Sequence, residues 1–105
     1  MAVNKNLLNY DYFSAVSHTT ASVGTSSVKV ASSNQSRTYF FIQNLGSNSV
    51  FLALGTASKI NSGIMLAAGS AYEMMKYNVY DGDIYAIAQT GAANIVMCTD
   101  GYGAI

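Results

Sequence analysis

The stretch Arg37-Thr-Tyr-Phe-Phe-Ile-Gln-Asn-Leu-Gly-Ser-Asn-Ser-Val-Phe-Leu-Ala-Leu-Gly55 limits most tightly what this chain can become. Two runs of aromatic and branched residues, which suit a pleated surface, flank a cluster of turn formers from Asn44 to Ser49. That pattern predicts two strands joined by a turn, a hairpin. Side chains alternate faces along a strand. Thr38, Phe40 and Ile42 therefore share one face of the first run, and Tyr39, Phe41 and Gln43 share the other. On the second run Val50, Leu52 and Leu54 oppose Ser49, Phe51 and Ala53. One face is core. The other presents Tyr39, Phe41 and Phe51, more aromatic surface than a monomer leaves wet, and these three are the candidate subunit interface.

From Thr19 onward the chain repeats this grammar, with turn residues every 8–12 positions. Thr19–Val23 and Ser27–Ala31 flank Gly24-Thr-Ser, and Ser32-Ser-Asn-Gln-Ser is a polar loop. After Gly55 come a longer loop, a short strand within Gly63–Gly69 and another within Ser70–Lys76. Asp83–Gln89 alternates cleanly, with Ile84, Ala86 and Ala88 opposite Tyr85, Ile87 and Gln89. Asn94–Thr99 is the last strand, and Asp100–Ile105 reads as a flexible tail. The expectation is an all-β fold: a small antiparallel β-sandwich, jelly-roll-like, of about eight short strands. Residues 1–18 have another texture. Leu7, Leu8, Tyr10, Tyr12 and Phe13 sit among Asn, Lys and Asp with neither a helical nor a strand period. They read as an N-terminal extended arm over 1–18, followed by a β-sandwich domain over 19–105.

Charge narrows the function classes. Only 10% of the 105 residues are charged, five basic against five acidic, where ordinary soluble domains carry roughly 25%. Without a basic footprint to neutralise phosphates, nucleic acid is not an expected partner. No apolar run approaches the roughly 18 residues that cross a bilayer, and Met1–Leu8 lacks the apolar core of a signal peptide. The chain reads as made in a cytoplasm and not inserted in a membrane. It has no proline, and its strands carry almost no lysine or glutamate, residues that blunt sheet edges in monomeric β proteins. Shared edges and a homo-oligomer are expected.

Catalytic chemistry finds little to work with. A nucleophile needs a base within hydrogen-bond reach and a group to orient that base, yet His18 is the only histidine and falls at the end of the arm. Cys98 lies in an apolar strand, where a thiol behaves as a small hydrophobe, and no disulfide can form within a chain that has one cysteine. Asp81-Gly-Asp83 is the only close carboxylate pair among Asp11, Glu73, Asp81, Asp83 and Asp100. It offers two oxygens to calcium, but Asp-Gly is also ordinary turn chemistry and further ligands are missing. No catalytic residue, metal or cofactor is expected. Tyr77, Tyr80 and Asp81 form an alternative glycan-binding face, although tyrosine serves protein interfaces equally well.

Taken together, Arg37-Thr-Tyr-Phe-Phe-Ile-Gln-Asn, Ser49-Val-Phe-Leu-Ala-Leu-Gly55, Gly63-Ile-Met-Leu-Ala-Ala-Gly69, Asp83-Ile-Tyr-Ala-Ile-Ala and Ile95-Val-Met-Cys resemble a family. The pattern is similar to small tailed-bacteriophage virion proteins of the capsid decoration (cement) or head-fibre base type. It spans residues 37–98; relatives often have proline where Ala68 stands, and the arm is not part of the shared pattern. The resemblance implies a non-enzymatic homotrimer on the capsid exterior that stabilises contacts between major capsid subunits. The arm would be its capsid-binding strap, and a head fibre or spike protein a further partner. A spike or fibre domain recognising a host-surface glycan is the alternative.

Overall fold

A computed structural model describes residues 14–75, 78–91 and 94–103. Eight strands run in order: β1 (Ala15–Val23), β2 (Val28–Ala31), β3 (Arg37–Asn44), β4 (Val50–Leu54), β5 (Ile64–Leu66), β6 (Ala71–Met74), β7 (Ile84–Ala88) and β8 (Asn94–Tyr102). They form two four-stranded sheets, ordered β1-β8-β3-β6 and β2-β7-β4-β5, with every pairing antiparallel. Successive strands mostly switch sheets, and only β4 and β5 are neighbours in both sequence and space. That is the jelly-roll order of a double-sheet sandwich.

Alternation places the core. Phe40 and Ile42 of β3, Met74 of β6 and Val96 of β8 face Val50 and Leu52 of β4 and Ile84, Ala86 and Ala88 of β7, all fully buried. Each large side chain removed from water in this way stabilises the fold by about 1.5–3 kcal/mol.

The hairpin expected at Arg37–Gly55 does not form. β3 belongs to the first sheet and β4 to the second, so the connection between them is an arch. The Asn44 side chain explains why. It is fully buried, and its Nδ2 donates to the carbonyls of Asn48 at 2.7 Å and Leu66 at 3.0 Å, while its Oδ1 accepts from Gly46 N at 2.9 Å. One amide thus ties the end of β3 to the end of β5 in the opposite sheet. Gly46 is required beside it, because a Cβ there would collide with the Asn94 side chain.

Two further expectations are corrected. The strand expected from Thr19 begins at Ala15, so residues 15–18 of the assigned arm are sheet, paired with Asp100–Tyr102 and Thr99. The expected tail is likewise strand as far as Tyr102, because β8 lies between β1 and β3 and both neighbours hold its backbone. Leu7, Leu8, Tyr10, Tyr12 and Phe13 lie outside the described residues.

Candidate functional site

Arg37 organises one end of the sandwich. Strict alternation would point it outward with Tyr39. A register shift against β8 between Arg37 and Tyr39 turns it inward instead, as an extra residue in one strand does, and its side chain is fully buried. Nε and one terminal nitrogen grip both Asp100 carboxylate oxygens, at 3.0 and 3.2 Å. The remaining donors reach the carbonyls of Ser32 (2.7 Å), Tyr80 (2.7 Å) and Gly82 (3.1 Å). All five N–H donors of a guanidinium are thereby used, and its carbon lies 5.1 Å from the Phe40 ring centroid. Two loop segments, at Ser32 and at Tyr80–Gly82, are locked to β8 by one side chain. This is a structural site.

The two outer faces of the sandwich differ. On the second sheet, Phe51 of β4 stands beside Ile87 of β7 and Met65 of β5. Phe51 is only 4% exposed and Ile87 8%. The β4–β5 loop accounts for this. It leaves β4 beside Ile84, yet Ser58 N donates to Ser27 Oγ at 2.8 Å, next to the start of β2 and near the far end of β7. With the inner face filled by core, that path runs across the outer face. Gly63 lets the loop turn back, with φ of 88° and no room for a Cβ against the Leu52 carbonyl.

On the first sheet the outer face is uncovered by any described residue. Its central row is His18, Thr99, Phe41 and Glu73, in register across β1, β8, β3 and β6. His18 Nδ1 lies 2.9 Å from Thr99 Oγ1. Tyr39, in the next row, donates its hydroxyl to Glu73 Oε2 at 2.5 Å. Partial burial, that hydrogen bond and the carboxylate charge push the Tyr39 phenol up to about 12. Half-buried Phe41 occupies the middle, and exposed Val16, Leu45, Met75 and Ile95 lie on the face or at its margins. Apart from His18, Glu73 is the one acidic or basic side chain that the register places on this face.

The structure therefore separates the three residues expected to share an interface. Tyr39 and Phe41 lie together on the first sheet. Phe51 lies on the outer face of the opposite sheet, beneath the chain's own loop, and needs no second subunit to cover it. Of the alternative glycan face, Tyr77 is outside the described residues. Tyr80 packs against the core, its ring so close to Gly55 and Gly82 that a Cβ at either would strike it. Asp81 is exposed and its carbonyl accepts from Asn34 N. Asp83 is engaged by Ser33 N at 2.7 Å and lies 3.8 Å from the Lys29 ammonium.

A groove of about 450 Å³ opens between the edges of β1 and β2, lined by Ser17, Thr19, Ala21, Ser32 and Asn34 above Val30, Phe40 and Cys98. Burial first, and then the nearby Asp100 carboxylate, push the Cys98 thiol up to about 11, so it is a poor nucleophile at neutral pH. His18 cannot activate it. His18 projects from the outer face, whereas Cys98 is buried inside the sandwich.

Sequence reasoning missed the Tyr39–Glu73 and Arg37–Asp100 pairs, because the partners are 34 and 63 residues apart. The one available signal was that an arginine and several carboxylates in so charge-poor a chain call for partners. Neither a scan of the sequence against protein-family models nor a search of curated proteins found a match.

Proposed function

We propose that this chain is a non-enzymatic virion protein, a capsid decoration protein that binds the outside of a phage capsid as a homotrimer and clamps neighbouring coat subunits. The observation that carries this reading is the asymmetry of the two outer faces. One keeps its aromatic, Phe51, buried within the subunit together with Ile87, although Met65 beside them is exposed. The other is nearly uncharged, carries Phe41 and Tyr39 at its centre, and is left open by the described residues. A face of that kind gains by association, at about 25 cal/mol for each Å² of apolar surface removed from water. The resemblance of residues 37–98 to phage decoration proteins supports the capsid as its setting, with synthesis in the host cytoplasm and residues 7–13 as the strap to the coat.

Light scattering on the eluted protein tests the assembly. Its mass should correspond to a multiple of three chains, and a monomer at micromolar concentration refutes the reading. Phe41→Ser should lower that mass with little loss of subunit stability. Co-sedimentation with undecorated capsids tests the partner: binding should disappear when residues 2–13 are deleted, and failure of the intact protein to bind refutes the capsid role.

A further inference from the structure

The two sheets present four edge strands of unequal quality. β2 has four residues, carries Lys29 and shifts register against β7. β5 has three residues, and β6 has four with Glu73 among them. β1 is different. It runs for nine residues and matches β8 at nine consecutive positions with no register shift. Ala15-Val-Ser-His-Thr-Thr-Ala-Ser-Val23 contains no aspartate, glutamate, lysine, arginine or proline. His18, Thr19, Thr20 and Ser22 are exposed along it, and among the described residues no strand pairs with its outer edge. Every second residue of an edge strand turns an unpaired N–H and C=O outward, and among the described residues β1 has none of the devices that protect such an edge.

We propose that β1 pairs antiparallel with β1 of a second copy about a two-fold axis, joining two first sheets into one continuous sheet of eight strands. Charge identifies the occupant. A strand meeting its own copy sets its sequence against itself, so a charged residue near the two-fold axis would bring like charges together. Among edge strands longer than three residues, β1 alone is free of them, because β2 has Lys29 and β6 has Glu73. Centred on Thr19, the pairing sets Thr20 opposite His18 and Ser22 opposite Val16 on the outer face, hydroxyl against imidazole and hydroxyl against aliphatic. Such cross-strand pairs are neutral or favourable. This contact goes beyond the trimer and uses a different surface from the Phe41 face.

The test is light scattering on the intact protein and on a Thr20→Lys/Ser22→Lys variant. The substitutions put four lysines along the shared edge, with the two Thr20→Lys side chains diagonal neighbours across it at about 7–8 Å, inside the screening distance of about 8 Å at physiological salt. The wild type should contain an even number of copies, two or six, and the folded variant half as many. An odd number of copies in the wild type overturns the proposal, as does a folded variant of unchanged mass. So does a wild-type monomer that dimerises once residues 2–13 are removed, because the edge would then be occupied by the chain itself. Hydrogen exchange on the unmodified protein is the second measurement: alternate β1 amides should lose protection on dilution, and concentration-independent exchange overturns the proposal. A plain trimer that binds capsids sinks this contact alone, whereas a plain dimer that ignores capsids sinks the decoration role alone.

Discussion

Replacing Arg37 with methionine removes the guanidinium while keeping most of the side-chain volume. Five hydrogen bonds disappear. The Ser32, Tyr80 and Gly82 carbonyls lose a charged donor, and Asp100, whose side chain is 20% exposed, loses its bidentate partner. Breaking a buried ion pair by removing one member destabilises by about 3–5 kcal/mol. Asp100 is not fully buried, so water recovers part of its solvation, and the lower end, about 3 kcal/mol, is expected. Against the total of about 5–15 kcal/mol for a domain this size, that is a large fraction. At about 4–8 °C per kcal/mol, the melting temperature should fall by at least ~12 °C. Urea denaturation with unchanged slope gives the free energy, and hydrogen exchange should show the 32–34 and 80–82 segments loosening first. Asp100→Asn should destabilise less, because the three carbonyl contacts survive it, and the double variant should resemble Arg37→Met. A loss under about 1 kcal/mol for Arg37→Met would refute the role assigned to this side chain as the clamp holding two loop segments to β8.

Other outcomes follow from the same contacts. Asn44→Ala should destabilise by about 3 kcal/mol in denaturant titration, because it leaves buried carbonyls and an amide without partners. Phe51→Ser should unfold the isolated subunit far more than Phe41→Ser does, as thermal melts will show, because Phe51 lies under its own loop and Phe41 does not. The Tyr39 phenol should titrate near 12 by ultraviolet absorbance, taken as the difference between wild type and Tyr39→Phe, and should move back toward 10 in Glu73→Gln. Folded Cys98 should resist thiol reagents at pH 8 and react once the protein is unfolded. Its raised pKa also sets a direction for stability: the contribution is fully present below the ordinary value of 9.0 and is lost as pH rises toward about 11, because the unfolded thiol releases its proton first.

Alternation along each run was enough to identify the inner face. Phe40, Ile42, Val50, Leu52, Ile84, Ala86 and Ala88 all fall where a period of two puts them, and the spacing of turn residues yields eight short strands with no helix. These are local properties, fixed by the pleat and by the residues that break it. Partner choice is not local. A period of two says which side chains face inward and nothing about which strand lies alongside, so Arg37–Gly55 reads as a hairpin although its halves lie in opposite sheets. The same limit hid the inward turn of Arg37, which depends on a register shift against β8, and the cover over Phe51, which depends on where the β4–β5 loop crosses. The single aromatic face inferred from sequence thus divides between two sheets, with buried Phe51 on one and Tyr39 and Phe41 on a face that the described residues leave open on the other, because burial is decided by segments distant in the chain and only the folded structure brings them together.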